Sequence, residues 1–525
     1  MLKLVLITFL AVLVHGYHLG VDDSEIYIPS IKRVADPELY PFGAEFFESH
    51  ANLSLFPDLI GKSARLTRLP INLVIFLWHV AGVFLLLLAS WRLATACFER
   101  DYARWGAVAL VAGVLTVPVA GTALIMMDPY LTARSLSTPA TIFSIASYVS
   151  RRPRQSAAWL LFTALIHPQM SIYCAGFLAS LALATRVKAA PSRVRELEWI
   201  PLSGLAFLFD FKPAQGAARE ALYSRSYFFV TSWTWYEWIG VFAPLALLWA
   251  FSFVRPRGTT AMFRPLARTL VPFGLFFTAA ALILASSPKL ENLARLQPMR
   301  SFHLLYVIFF LLLGGLIGEY VLESSVWRWT SVFAPLGAFM WFVQWHTYPS
   351  SPHLEFPGGE RNAWTSAFFW IRDNTPKDAI FGLDPNYMLA PEADLHGFRA
   401  IAERSALADN VKDSGAVSLF PQLAEDWKKQ VQAQTGLSNF RLADFEELSK
   451  QYPVAWILTR QPRPPGMICP YENIEVAVCR IDRGSLMIAA RRPQTQFRKV
   501  SGNLDRVRSR PLVRPARIAG GKKDK

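Results

Sequence analysis

The chain has 525 residues, of which 53% are hydrophobic and 18% are charged, and its formal net charge is +15. Soluble proteins usually carry about a quarter charged residues, so this composition argues against a wholly soluble chain. Basic chains often bind nucleic acid, but here the arginines lie mostly in short loops and in a terminal tail, without a nucleic-acid module. We therefore expect a membrane protein with no nucleic-acid partner.

Apolar runs long enough to cross a bilayer as helices recur over residues 1–348. Residues 2–17 are interpreted as an uncleaved span rather than a cleaved signal peptide, because no small-residue cleavage site follows. A polar segment, the first outer loop, follows at 18–70. The sequence predicts about eleven spans, at 2–17, 71–97, 105–127, 135–150, 155–167, 169–186, 198–211, 236–254, 268–286, 302–321 and 329–347.

The placement of lysine and arginine orients these spans. With the N-terminus inside, the short inner loops carry slightly more basic residues than the longer outer loops. An odd number of spans then places the C-terminal domain on the extracytoplasmic side of the cell inner membrane. His167-Pro168 interrupts one apolar stretch, and proline ends or kinks helices. If residues 155–186 form one broken helix instead of two spans, the C-terminal domain moves inside.

After residue 348 the composition becomes polar, and residues 349–494 predict a soluble α/β domain. Residues 495–525 predict a basic, disordered tail. Cys469 and Cys479 are a candidate disulfide pair if this domain faces an oxidising compartment. The predicted helices are 362–374, 418–434 and 442–451, and the predicted strands are 379–383, 454–459, 474–481 and 486–490.

Acidic residues mark the first two outer loops. The first opens with Asp22-Asp23, and carboxylates at a bilayer edge can act as a general base or ligate a divalent cation such as Mg or Mn. The second outer loop carries Asp128, Tyr130 and Arg134. Asp128 is the lone acid in a stretch holding four predicted spans, where a carboxylate is costly and suggests function or metal binding. A solvated loop or a helix cap is the structural alternative.

Further candidates for binding phosphate lie at His167, Arg295 and Arg300. His167 interrupts an apolar stretch, and it is either a hydrogen-bonded structural residue or a ligand of a phosphate oxygen. The two arginines lie in an outer loop, against the orientation rule, and their paired donors match phosphate geometry. A plain solvated loop is the alternative interpretation.

This combination of residues resembles the GT-C superfamily of polytopic glycosyltransferases over residues 1–350. Residues 370–376 (WIRDNTP), which lead into 379–381, are similar to the start of the soluble domain in uncharacterised bacterial members. The resemblance implies an α-helical polytopic membrane protein with a C-terminal α/β domain. The residues that carry it are Asp22, Asp23, Asp128, Arg295 and Arg300.

The resemblance also implies inverting transfer of a sugar from a polyprenyl-phosphate donor in the membrane lipid to an acceptor that the sequence does not identify. Asp22 or Asp23 would deprotonate the acceptor hydroxyl, Asp128 would hold a cation or the acceptor, and Arg295 or Arg300 would neutralise the leaving phosphate. Two other functions stay open. One is a transporter or flippase of a lipid-linked precursor, and the other is a non-catalytic membrane scaffold.

Overall fold

The computed structural model describes residues 1–186, 213–254, 256–356 and 361–481. Over these ranges the helices are α1 (Leu2–His15), α2 (Ser24–Ala35), α3 (Glu45–Ala51), α4 (Phe56–Thr67), α5 (Ile71–Cys97), α6 (Asp101–Gly113), α7 (Ala133–Val149), α8 (Pro153–Ile166), α9 (Pro168–Arg186), α10 (Gly216–Tyr223), α11 (Trp235–Phe253), α12 (Phe263–Ala285), α13 (Ser301–Ile317), α14 (Val326–Thr347), α15 (Ala363–Asn374), α16 (Phe398–Ala402), α17 (Asp413–Leu419), α18 (Ala424–Gln434) and α19 (Leu442–Gln451). The strands are β1 (Ile380–Leu383), β2 (Ser405–Ala406), β3 (Trp456–Arg460), β4 (Ile468–Glu472) and β5 (Val476–Arg480). The predicted span 198–211, strand 486–490 and tail 495–525 lie outside the described residues.

Among the described residues, 4 helical segments are long and apolar enough to cross a membrane. They are α5, α11, α12 and the segment Glu291–Leu322, which contains α13. The 27 residues of α5 are about 40 Å long, more than the roughly 30 Å of hydrocarbon in a bilayer. The remaining described spans form helices that are shorter or more polar, so these helices agree with a membrane protein without confirming eleven spans.

The predicted span 105–127 is wrong, because α6 ends at Gly113 and the chain stays non-helical until α7. Pro118 lacks a backbone N–H, and it follows β-branched residues that favour extended backbone. The segment is mostly buried, and its backbone groups pair internally; the Met127 N–H, for example, donates to the Leu115 carbonyl at 2.7 Å. Non-helical backbone is tolerated at membrane depth when it is buried in protein in this way.

The chain forms two helices around His167-Pro168. Helix α8 ends one residue before His167, and α9 begins at Pro168, where a missing N–H costs no helical hydrogen bond. The end of α8 meets the first outer loop, because the Leu55 N–H donates to the Leu165 carbonyl at 2.8 Å.

Helices α6 and α13 approach each other closely through glycines. A Cβ atom on Gly106 would lie 2.6 Å from the carbonyl oxygen of Gly314. A Cβ atom on Gly318, just beyond α13, would lie 2.6 Å from the carbonyl oxygen of Tyr102. Small residues of this kind allow helix backbones to pack against each other in membrane proteins.

The C-terminal domain contains a five-stranded sheet in the order β2-β1-β3-β5-β4. Strand β1 pairs in parallel with β2 and β3, whereas β5 pairs antiparallel with β3 and β4. Strands β2 and β4 were not predicted. The predicted helix 418–434 begins too early, because α18 covers only 424–434 of it. Helix α17 ends before Phe420, since proline at 421 disfavours helical backbone at the residue before it.

The start of the first outer loop is fixed to the C-terminal domain and the linker before it. Tyr17 forms a backbone bridge with Leu354. The Glu355 carboxylate lies 3.0 Å from His18 Nδ1 and 3.0 Å from His396 Nε2. Burial opposes the charge of Glu355, but the electrostatic effect of His396 and the hydrogen bond from His18 outweigh it and lower its pKa to about 2. These contacts hold the residues that follow His18 against the domain.

Helix α2 is also held against the domain by buried polar side chains. The Glu25 carboxylate accepts hydrogen bonds from the backbone N–H groups of Arg399 (3.0 Å) and Ala400 (2.9 Å). Lys32 Nζ donates to the Ala400 carbonyl at 2.8 Å and to Glu403 at 2.7 Å. Because a buried charge is costly without partners, these contacts oppose separation of the first outer loop from the domain.

We predict that Gly106→Ala destabilises the helix bundle, because the added methyl group meets backbone that cannot move aside. Overpacking of this kind costs about 1–3 kcal/mol, which should lower the thermal unfolding midpoint of the detergent-solubilised protein. Gly176→Ala in α9 is the matched control, because its Cβ would meet no atom closer than 4.0 Å. Equal midpoints for the two variants would contradict the close packing of α6 and α13.

Candidate active site

The acidic pair Asp22-Asp23 lies where the first outer loop meets the C-terminal domain. Val21 forms a backbone bridge with His396, and the Asp22 N–H donates to the Leu395 carbonyl at 3.0 Å. Asp22 adopts a left-handed conformation, with φ of 54°, and α2 begins immediately after Asp23. The tight turn directs both carboxylates toward the second outer loop, as the contacts below show.

Five side chains meet at this point and form what we call the charge cluster: Asp22, Asp23, Asp128, Arg134 and Lys412. Arg134 Nη2 lies 2.9 Å from Asp128 Oδ2 and 3.1 Å from Asp23 Oδ2. Lys412 Nζ lies 3.1 Å from Asp23 Oδ1 and also contacts Asp22 Oδ1. Two outer loops and the C-terminal domain therefore supply one continuous network of charges.

Neutral side chains complete the hydrogen bonding of the cluster. The Tyr130 hydroxyl donates to Asp22 Oδ2 at 3.0 Å, and the Thr132 hydroxyl donates to Asp128 Oδ2 at 2.9 Å. Thr132 also caps the N-terminus of α7 in a reciprocal arrangement with Ser135, which fixes the start of the helix that carries Arg134. The non-helical segment before α7 thus positions Asp128 and Tyr130.

The three carboxylates have different environments. Asp128 is 6% exposed, Asp23 is 28% exposed and Asp22 is 39% exposed. Burial raises the pKa of Asp128, although contact with Arg134 opposes the shift. Burial would also raise the pKa of Asp23, but the guanidinium groups of Arg134 and Arg300 outweigh it and the pKa is lowered. Asp23 is therefore held ionised, while Asp22 faces solvent most.

The other predicted site residues are Arg300, His167 and Arg295, and the first two interact electrostatically with the charge cluster. Arg300 acts electrostatically on Asp23, and its buried Nε atom has no hydrogen-bond partner among the described residues. His167 is buried and interacts electrostatically with Arg134 and Arg300. Arg295 lies in the turn before α13, and none of the contacts of the charge cluster involves it.

Two features of the site were not predicted from the sequence. Lys412 lies 390 positions after Asp22 in the chain, in a polar loop with no distinguishing motif. The Tyr27 hydroxyl and His50 Nε2 share a hydrogen bond of 3.1 Å, and His50 interacts electrostatically with Asp23. The burial of His50 lowers its pKa to about 4, so its ring is neutral at pH 7. A lone tyrosine and a lone histidine in a polar loop gave no signal.

A cavity of about 560 Å³ opens in the first outer loop. It lies between α2, α3, α4 and the end of α8, and its polar lining includes Ser30, Arg33, Glu48, Asn52 and Asp58. Residues of the charge cluster do not line it. A cavity of about 10 Å³ borders Asp128, which is too small for a sugar. The carboxylates therefore converge, but they are packed by their own partners.

Cys469 and Cys479 form a disulfide between β4 and β5.

In the part of the chain that the structure describes, no group of three or more histidine, cysteine or acidic side chains is arranged to hold a metal ion. The charge cluster offers carboxylates for proton transfer and one guanidinium group, that of Arg134, which pairs with two of them. No protein-family model and no curated protein matches this chain.

We predict that Arg134→Gln is strongly destabilising, because it leaves the buried Asp128 carboxylate without its cation. Breaking a buried ion pair in this way costs about 3–5 kcal/mol, measurable by denaturant titration with tryptophan fluorescence in detergent. Arg328→Gln removes an exposed pair with Glu323 and should change stability by less than about 1 kcal/mol. Adding Asp128→Asn to Arg134→Gln should restore part of the loss. Equal effects of the two arginine substitutions would contradict a buried pair.

Proposed function

We propose that this protein is a membrane glycosyltransferase that moves a sugar from a polyprenyl-phosphate donor to an acceptor at the outer face of the membrane. The observation that supports the proposal best is the meeting of Asp22 and Asp23 with Asp128 through Arg134. These residues come from two separate outer loops, and they carry the resemblance to GT-C glycosyltransferases. A transporter or a scaffold would not need carboxylates gathered at one face of the bundle.

Asp22 is the better candidate for the general base. Its carboxylate is the most exposed of the three acids, and the neighbouring Asp23 has a lowered pKa, which makes Asp23 a weaker base. The acceptor oxygen would attack the anomeric carbon as the bond from that carbon to the phosphate oxygen breaks. The electron pair of the broken bond leaves with the phosphate, and the hydroxyl proton passes to Asp22. Attack opposite the leaving group inverts the anomeric configuration.

Unpaired donors near Arg300 suit the leaving phosphate. In the described part of the chain, Arg300 Nε and the Ser301 hydroxyl are buried without a hydrogen-bond partner. Buried polar atoms are nearly always paired, so unpaired ones in a group suggest a ligand. Arg300 immediately precedes α13, whose N-terminus also favours anions. A phosphate here would be stabilised as its negative charge develops.

Contacts between loops support the proposed orientation. At one end of the bundle Phe98 forms a backbone bridge with Thr259, and Arg100 lies 3.2 Å from Glu319. The charge cluster and the C-terminal domain lie at the opposite end of α5. We propose that the spans alternate in direction and that the domain lies on the extracytoplasmic side. The disulfide of the domain supports an oxidising location.

The transfer activity itself is tested with Asp22→Asn, Asp23→Asn and Asp128→Asn. We expect Asp22→Asn to reduce transfer by about 10²–10⁴-fold, because it removes the general base. Transfer is measured in membranes with a panel of labelled polyprenyl-phosphate hexoses. Glu38→Gln on the same outer loop is the control, because the Glu38 side chain is 78% exposed and pairs with the exposed Lys377. Full transfer by all three aspartate variants would exclude the enzyme and leave a transporter or scaffold.

The side of the domain is tested by cysteine labelling of intact cells. Ile474→Cys should react with a membrane-impermeant maleimide, because Ile474 is 85% exposed in the turn before β5. Asp101→Cys, at the opposite end of α5, should react only after the membrane is disrupted. The native Cys97 and Cys174 are buried and should give little background. The reverse pattern of labelling would place the domain inside.

A further inference from the structure

A lysine ammonium group occupies the space between the acidic pair of the first outer loop. Lys412 Nζ contacts the Oδ1 atoms of both Asp22 and Asp23, and the lysine side chain is only 9% exposed. Mg²⁺ and Mn²⁺ are typically bound by one or two carboxylates together with water or substrate oxygens. The ammonium group therefore lies where a divalent ion bridging Asp22 and Asp23 would have to bind.

The second oxygen of each acid is also occupied by a hydrogen-bond donor. Asp22 Oδ2 accepts from Tyr130, and Asp23 Oδ2 accepts from Arg134. Asp128 Oδ2 accepts from Arg134 Nε at 3.1 Å and from its Nη2 at 2.9 Å. These oxygens therefore already accept hydrogen bonds, and a cation that drew Asp23 and Asp128 away from Arg134 would leave a buried guanidinium group short of partners. The residues present do not fit the divalent cation that the family resemblance implies.

Hydrogen bonds hold the backbone around Lys412 in place. Asp409 Oδ1 accepts the Lys412 N–H at 2.5 Å, and Trp427 Nε1 donates to the Asp409 carbonyl at 2.8 Å. From the loop between α10 and α11, Arg225 Nη2 donates to the Ser414 hydroxyl at 2.8 Å. These contacts fix the backbone from which the Lys412 side chain reaches the two acids.

We propose that Lys412 is the built-in counter-cation of this site, replacing a metal ion, and that the C-terminal domain is needed to supply it. As a positioning residue, Lys412 holds Asp22 and Asp23 side by side despite their like charges. The cluster has three carboxylates and two basic side chains, so each carboxylate contacts at least one of the two. The assignment of Asp22 as a base rests on the proposed function, whereas the cation position does not.

The test measures Mn²⁺ binding by the purified full chain in detergent, using electron paramagnetic resonance and no substrate. The wild-type protein should show no Mn²⁺ binding that depends on Asp22, so wild type and Asp22→Asn should bind Mn²⁺ equally. Lys412→Met should create such a site, with Mn²⁺ bound at least about tenfold more tightly than by the wild type, because the local charge becomes more negative. Adding Asp22→Asn should remove the new site, and Lys412→Arg should behave like the wild type.

Two results would overturn the proposal: Mn²⁺ binding by the wild-type protein that Asp22→Asn abolishes, or a folded Lys412→Met variant that binds no more Mn²⁺ than the wild type. Lys377→Met is the matched control, because Lys377 also joins the domain to two acids of the first outer loop, at 2.6 Å and 3.2 Å, but on the surface. It should create no site that depends on Asp22. If Lys412→Met does not fold, Lys412→Gln serves in its place. Because no sugar donor is present, the result is independent of transfer activity.

Discussion

The arrangement of this site depends on one buried guanidinium group. Arg134 is 6% exposed, and such a charge is costly to bury unless carboxylates surround it. Asp128, six residues earlier, is its local partner, and Asp23, at a sequence separation of 111, is its distant one. Meeting this requirement fixes the start of α7, the non-helical segment before it and the start of α2 against one another. The position of the acidic pair thus follows from the electrostatics of α7.

The C-terminal domain behaves as part of the same unit, because the first outer loop is fixed to it at several buried charges. Glu25 and Lys32 on α2 both bind backbone of the domain, and Glu355 joins the linker to His18 and His396. Ion pairs at an exposed interface would contribute little, but these are buried and hydrogen-bonded on both sides. Displacing the domain would expose unpaired charges. We therefore regard the domain as a component of the site and not as an appended module.

Local patterns predicted the elements that local forces determine. The predicted span 71–97 and helix 442–451 match α5 and α19 residue for residue, because an apolar run or an amphipathic repeat is sufficient there. The span 105–127 failed since a buried irregular segment is as hydrophobic as a helix, and hydropathy alone does not distinguish them. The meeting of the acids was predicted from loop order, but Lys412 was not. The contact between Lys412 and Asp22 spans 390 positions and depends on how the domain docks, so no local sequence pattern predicts it.

The backbone conformation and the exposure of Asp22 bear on its proposed chemical role. A left-handed conformation at a residue other than glycine costs about 1 kcal/mol or more, and it persists only where the surroundings impose it. Here the surroundings are the Leu395 carbonyl, the Tyr130 hydroxyl and the Lys412 ammonium group. The Asp22 carboxylate is held in this conformation but left 39% exposed, whereas Asp128 beside it is 6% exposed. The conformation and exposure of Asp22 are easier to explain if the fold holds this one acid ready for a substrate.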